Sequence, residues 1–103
     1  MIKTFGPNNL TPSKLCFGTM QFGDGASEKD SEEMYLKCRE NEVNFFDTAY
    51  VYTKGLSEKI LGKLIKEERE KLLIVTKAGS QGGADPDNLR NQLEESLKRL
   101  DQD

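Results

Sequence analysis

Three short apolar runs divide the chain, and each is followed by a longer segment in which apolar residues recur at helical spacing. The runs cover residues 14–17, 43–46 and 71–77, and they predict three short strands. Because the centre of the last run is continuously apolar, we expect that strand to be buried on both faces, as strands of parallel sheets are. Strands that alternate with helices predict an α/β fold built on a parallel sheet.

A cluster of turn residues lies close to the N-terminus, at positions 6–9. It has the sequence Gly-Pro-Asn-Asn, and residues 2–5 and 10–13 flank it on either side. Glycine, proline and asparagine favour tight turns, each for its own backbone reason. The cluster therefore predicts a short hairpin over residues 2–13, ahead of the first strand.

The segments between the strands are expected to be amphipathic helices, and each begins near a residue that can cap a helix. Ser27 is the predicted cap of a first helix that ends near residue 41, and Ser57 is the predicted cap of a second. Asp85 is the predicted cap of a third helix, with Pro86 at its first position, where no backbone N–H is needed. The apolar positions are Met34, Leu36 and Cys38 in the first helix, Ile60, Leu61, Leu64 and Ile65 in the second, and Leu89, Leu93, Leu97 and Leu100 in the third.

The hairpin is thus followed by three β/α units, at about residues 14–42, 43–69 and 71–101. In a parallel sheet such units are connected by right-handed crossovers. A closed barrel of eight units takes about 250 residues, so three units are too few to close one. We therefore expect the 103 residues to form an incomplete barrel.

Composition and charge narrow the possible partners and the location of the protein. The net charge is −3, the isoelectric point is near 5.1 and the mean hydropathy is −0.70. This balance provides no basic surface for nucleic acid or for an anionic membrane. The sequence also shows neither a signal peptide nor an apolar stretch long enough to span a bilayer, so a cytoplasmic location is expected. With only Cys16 and Cys38 and no histidine, neither a disulfide framework nor a metal site is predicted.

Three polar residues follow the predicted strands at positions where chemistry is often found. Asp47 and Tyr52 come after the second strand and Lys77 ends the third. The carboxyl ends of parallel strands meet at one edge, where α/β barrels place their active sites. A lysine ammonium beside a tyrosine favours the phenolate and makes the phenol a better proton donor. Taken singly, each residue also has an ordinary interpretation, namely a turn-forming aspartate, a loop aromatic and a solvated strand end.

The motifs around these residues resemble those of one enzyme family, the aldo-keto reductases. Residues 13–23, Ser-Lys-Leu-Cys-Phe-Gly-Thr-Met-Gln-Phe-Gly, are similar to the first-strand signature of that family. Residues 44–52 and 57–62 resemble its second-strand motif and the helix that follows. Residues 73–77 resemble its third strand, and residues 93–100 resemble the helix that precedes its fourth strand. The resemblance extends over essentially the whole chain in the family's order.

The resemblance implies a TIM-barrel oxidoreductase that transfers a hydride from NADPH to an aldehyde or ketone. By this resemblance Tyr52 is the general acid, Lys77 makes it a stronger acid, and Asp47 pairs with Lys77. NADP(H) is the implied cofactor and a small carbonyl compound the implied substrate. The cofactor-binding residues that the resemblance implies are Gly18, Thr19, Met20 and Asp47.

One departure from the family bears on activity. The family's catalytic histidine follows its fourth strand, and the 103 residues contain no histidine. We therefore expect these residues to be the N-terminal part of a reductase and to be inactive alone. Two alternatives stay open, a non-catalytic interaction module derived from a reductase and a part-barrel that associates with itself through its open sheet edges.

Overall fold

The computed structural model describes residues 3–103, in which three parallel strands alternate with three α-helices. Ile2, where the predicted hairpin begins, lies outside the described residues. The sheet has the order β1-β2-β3, so strands that are neighbours in sequence are also neighbours in space. The elements are β1 at Phe17–Gly18, α1 at Glu28–Glu40, β2 at Phe45–Asp47, α2 at Leu56–Ile65, β3 at Leu73–Val75 and α3 at Pro86–Leu100.

The strands are shorter than the apolar runs predicted, but the α/β class and the parallel pairing are confirmed. Phe46 on β2 pairs with Phe17 on one side and Ile74 on the other, and Asp47 pairs with Val75. β1 begins at Phe17, where the predicted strand was expected to end. The sheet is open, with β1 and β3 at its edges, and does not close into a barrel.

The predicted two-sided burial of the third strand is wrong for the described residues. Leu73 and Ile74 are only half-buried and Val75 is 38% exposed. The helices cover the face of the sheet that carries Phe46, which is fully buried. The opposite face and the outer edge of β3 have no comparable cover, so a run suited to a central strand lies at an edge.

The N-terminal hairpin is reduced to a single antiparallel pair, at the end of the sheet where the strands begin. Phe5 and Leu10 exchange two backbone hydrogen bonds of 2.9 Å. The Asn44 side chain, just before β2, accepts from the backbone N–H of Ser13 at 2.8 Å and donates to the carbonyl of Thr11 at 2.9 Å. The hairpin is therefore attached where β2 begins, which leaves the carboxyl ends of the strands open.

Two of the three predicted helix caps are confirmed. Ser27 accepts a hydrogen bond from the N–H of Asp30, whose side chain accepts in return from the N–H of Ser27, forming a capping box. Asp85 caps α3, with Pro86 as its first residue. Ser57 is not a cap, because α2 starts at Leu56 and the Thr53 hydroxyl accepts from the N–H of Ser57 at 2.8 Å.

The core lies between the sheet and the helices. More of its helix residues are small or polar than the apolar stripes predicted. On α1 the buried residues are Ser31 and Tyr35, whereas Leu36 is 54% exposed. On α3 they are Gln92, Ser96 and Leu100. Within residues 3–103 no helix has the length and apolar character needed to cross a bilayer.

Candidate active site

The carboxyl ends of β2 and β3 place an acid and an amine side by side. Asp47 is the last residue of β2 and is paired with Val75, and Lys77 lies two residues beyond. Past the strand ends the backbone pairing continues, because Thr48 N–H donates to the carbonyl of Val75 at 2.8 Å and Tyr50 N–H donates to that of Lys77 at 3.0 Å. These bonds fix the two side chains on one short stretch of paired backbone.

The side chains of Lys77 and Asp47 form an ion pair at the open end of the sheet. The distance from Lys77 Nζ to Asp47 Oδ1 is 2.6 Å. Partial desolvation lowers the pKa of Lys77, but hydrogen bonding to Asp47 and the interaction with Tyr52 outweigh this, so the net pKa is raised above its usual value. Lys77 therefore carries its positive charge at neutral pH while its side chain stays accessible from solvent.

Tyr52 lies at the start of a tight turn that brings its ring to Lys77. Lys77 Nζ is 5.0 Å from the centre of the ring, within the range of a cation–π contact. The next three residues, Thr53, Lys54 and Gly55, have φ values of 48°, 55° and 96°. Consecutive left-handed residues are costly for non-glycine side chains and are characteristic of functional sites. The Thr53 hydroxyl supports the turn by donating to the carbonyl of Phe22 at 2.7 Å.

The structure thus brings together Asp47, Tyr52 and Lys77, the three residues that sequence reasoning selected as catalytic. The residues selected as cofactor-binding lie at the carboxyl ends of β1 and β2: Gly18 and Asp47 end these strands, and Thr19 and Met20 follow Gly18. Gly18 pairs with Asp47, and Met20 is 54% exposed. Thr19 is fully buried, and its hydroxyl lies 2.9 Å from the carbonyl oxygen of Asp47 and 2.9 Å from Ser57 Oγ.

A cluster of buried hydroxyl groups, which sequence reasoning missed, anchors the strand ends below the site. Ser57 Oγ lies 2.8 Å from Thr48 Oγ1, and it donates to the carbonyl of Thr19 at 2.8 Å. All three residues are fully buried. Thr19 follows β1, Thr48 follows β2 and Ser57 is in α2, so the cluster joins three elements behind Asp47. Single hydroxyl residues at the ends of the predicted strands and at the start of the second helix were the signal available in the sequence.

The open end of the sheet presents an accessible surface beside the charged groups of Asp47 and Lys77. A side-chain carbon added at Gly18 would meet no atom within 4 Å, so the surface there is accessible. Asp47 uses one carboxylate oxygen for Lys77. Gly18 and Met20 would therefore form an accessible floor beside a carboxylate and an amine, which is suitable for a ring and its ribose hydroxyls.

Comparison with known proteins assigns a family to this arrangement. The sequence pattern of the Aldo/keto reductase family matches residues 14–103. An aldo-keto reductase from Bacillus halodurans, solved in its holo form, superposes with a TM-score of 0.80 at 30% identity, over 100% of this chain and 38% of that one. The class that the fold defines is the TIM barrel, of which this chain forms a part with an open sheet. The chain belongs to the aldo-keto reductase family.

Relatives found by sequence include both an oxidoreductase and a channel subunit. The chain is 35% identical to the uncharacterized oxidoreductase YrpG of Bacillus subtilis over 95% of its length and 36% of that protein. It is 38% identical, over 98% of its length and 34% of the relative, to a protein of Arabidopsis thaliana described as a probable voltage-gated potassium channel subunit beta. The chain therefore spans about a third of the length of the curated relatives it matches.

Proposed function

We propose that this chain supplies the proton-donating side of a site that reduces an aldehyde or ketone with NADP(H). The observation that carries the proposal is the contact of Lys77 with both Asp47 and Tyr52 at the open end of the sheet. Membership of the reductase family supports the reaction class. The holo form of the Bacillus halodurans neighbour supports a bound cofactor in that protein, and the accessible surface at Gly18 and Met20 supports one here.

In the proposed reaction Tyr52 gives its hydroxyl proton to the carbonyl oxygen of the substrate. Reduced nicotinamide, when bound, supplies the hydride that forms the new C–H bond at the carbonyl carbon. The products are an alcohol, the oxidised cofactor and a Tyr52 phenolate. Lys77 stabilises the phenolate because its ammonium lies close to the ring. Asp47 holds that ammonium in place through the 2.6 Å contact.

On their own, residues 1–103 are proposed to be inactive, because they contain no histidine and hold only the first part of the cofactor surface. The test therefore uses the intact native protein that contains this sequence, purified from its source. Lys77→Met removes the charge beside Tyr52, and we expect turnover of small aldehydes with NADPH to fall by about 100-fold or more, the usual contribution of a positioned proton donor.

The matched control is Lys59→Met, which removes an exposed lysine of α2 away from the site. It is expected to keep the turnover of the unmodified protein. Equal turnover in both variants would contradict the proposal, and so would a protein that reduces no carbonyl compound with either NADPH or NADH.

A second candidate, association of the chain with another copy of itself, is favoured by the uncovered face of the sheet. A cavity of about 300 Å³ opens there, and its lining is almost entirely apolar. The partner would pair with the outer edge of β3, since unpaired strand edges are templates for association. The lining residues are Phe5, Pro12, Phe45, Leu73, Ile74 and Val75.

Sedimentation velocity of the 103-residue chain tests this second candidate. Val75→Lys places a charge on the uncovered edge and is expected to convert a dimer into a monomer. Leu36→Lys places the same charge on an exposed position of α1 and is expected to leave the dimer intact. If the unmodified chain is already a monomer, or if both variants dissociate equally, association through β3 is excluded.

A further inference from the structure

A fully buried carboxylate lies behind the candidate active site. Glu58 in α2 has 0% exposure, and both of its oxygens are engaged. Oε1 accepts from Arg99 Nη1 at 3.0 Å, and Oε2 accepts from the Thr76 hydroxyl at 2.6 Å. A buried charge requires such partners, because leaving water costs several kcal/mol per ion, roughly, in proteins. Glu58 is therefore held in a single position by α3 and by the end of β3.

Arg99 in α3 extends this network to the segment that carries Tyr52. Its Nη1 donates to the carbonyl of Tyr50 at 2.7 Å, and its guanidinium lies 4.3 Å from the centre of the Tyr50 ring. A side-chain carbon at Gly55 would lie 2.7 Å from Arg99 Cζ, so the end of the turn rests directly on the guanidinium. Arg99 thus contacts the backbone on both sides of Tyr52.

Thr76 and Arg99, the two partners of Glu58, contact different parts of the candidate site. Thr76 is the residue before Lys77, so its hydroxyl bond to Glu58 fixes the backbone that presents the amine. Arg99 fixes the backbone on either side of Tyr52. Buried ion pairs often contribute little to net stability compared with apolar residues of similar volume. A role in stability alone is thus a weak explanation for this pair.

We propose that Glu58 and Arg99 are positioning residues, which set the placement of Tyr52 relative to Lys77 without touching the reacting groups. This inference rests on the proposed function, since it concerns the geometry of the same proton donor. It predicts that loosening the pair changes the turnover step and leaves nucleotide affinity unchanged. A misplacement of about 1 Å far from the chemistry can cost about 100-fold in rate.

The experiment uses the intact native protein with Thr76→Val and Glu58→Gln. Thr76→Val keeps the side-chain shape and removes only the hydroxyl bond to Glu58, and Thr76→Ser restores that hydroxyl. We expect kcat to fall by about 100-fold in Thr76→Val with an unchanged KM for NADPH, and to recover in Thr76→Ser. The nuclear Overhauser contact between the Lys77 side chain and the Tyr52 ring is expected to be lost and regained in parallel.

Glu28→Gln is the matched control, because it removes the charge from a surface ion pair of the same length, 3.0 Å to Lys63. It should change neither kcat nor the contact. If Glu58→Gln does not fold, Thr76→Val decides alone. A folded Thr76→Val variant with full kcat and an intact contact would overturn the inference. If Tyr52→Phe also keeps full turnover, the proposed function itself fails; if Tyr52→Phe is inactive while Thr76→Val is not, only the positioning role fails.

Discussion

Lys77 and Asp47 lie at the ends of adjacent strands, and their Nζ and Oδ1 atoms are 2.6 Å apart. The sheet register produces this contact, because Asp47 pairs with Val75 and Lys77 follows two residues later. The same ammonium lies 5.0 Å from the centre of the Tyr52 ring. One backbone ladder therefore places the acid and the amine of the candidate site, and the turn that begins at Tyr52 brings the phenol to them.

Asp47→Asn is expected to lower the pKa of Lys77, because the variant loses the carboxylate that raises it against desolvation. Because the pKa of Lys77 is raised on folding, its charge contributes to the free energy of unfolding. This contribution is fully present below the unfolded pKa of 10.5 and is lost as the pH rises through the higher folded pKa. The pH titration of the Lys77 side chain, followed by NMR, checks this. Glu94→Gln, at an exposed position of α3, is the control, and a Lys77 titration that is the same in Asp47→Asn would contradict the account.

Glu68→Gln is expected to destabilise the protein at neutral pH by about 1.5–3 kcal/mol, the usual loss for hydrogen bonds to a charged group. Glu68 accepts from Arg39 Nε at 2.7 Å and from the Tyr35 hydroxyl. Hydrogen bonding from Arg39 is the main cause of the lowered pKa of Glu68, which burial opposes. The stability from this carboxylate is present above its unfolded pKa of 4.5 and is lost as the pH falls through the lower folded value.

Denaturant unfolding across acid pH measures this effect. The Glu68→Gln variant should show a smaller loss of unfolding free energy on acidification than the unmodified chain, because it lacks the group that titrates. Glu67→Gln, at the exposed neighbouring position, should behave like the unmodified chain. Parallel acid curves for Glu68→Gln and the unmodified chain would show that the Arg39–Glu68 pair contributes nothing.

Ser57→Ala is expected to cost about 1–3 kcal/mol of unfolding free energy, because it leaves a buried group without its partner. Thr48 Oγ1 loses its contact with Ser57 Oγ, while Thr19 keeps its bond to the carbonyl of Asp47. Ser27→Ala removes an exposed helix cap and should cost about 1 kcal/mol. Urea unfolding of the two variants compares these costs, and a Ser57→Ala loss smaller than that of Ser27→Ala would refute the role of the hydroxyl cluster.

Gly62→Ala should be destabilising, although alanine is favoured over glycine in helices by about 1 kcal/mol. A side-chain carbon at Gly62 would lie 2.8 Å from Leu100 Cα and 2.8 Å from its carbonyl oxygen. Because these are backbone atoms, they can move aside only if α3 shifts. Overpacking of this kind costs about 1–3 kcal/mol. Thermal unfolding checks the sign, since an increased melting temperature would show that α2 and α3 are farther apart than described.

The sequence allowed the order of elements and the parallel sheet to be predicted, because these depend on local patterns. The catalytic roles of Asp47, Tyr52 and Lys77 come from the family resemblance and stay predictions. Ser27 and Asp85 were predictable caps, since each needs only its own first turn. The prediction of Ser57 as a cap was wrong, because its hydroxyl bonds to Thr19, 38 residues away, instead of to the first turn of α2. Glu58 lies in the motif at residues 57–62, but its burial was not predictable, since a charged residue beside an apolar stripe is usually solvated and its partner Arg99 lies 41 residues later.

Tyr52 is the proposed proton donor, and the loss of its hydroxyl group is the sharpest test of that role. NADPH binding and carbonyl turnover are compared in the intact native protein and in its Tyr52→Phe variant, which removes only the hydroxyl group. The account predicts that NADPH affinity is unchanged while turnover falls by about 100-fold or more. Full turnover in a folded Tyr52→Phe variant would contradict it.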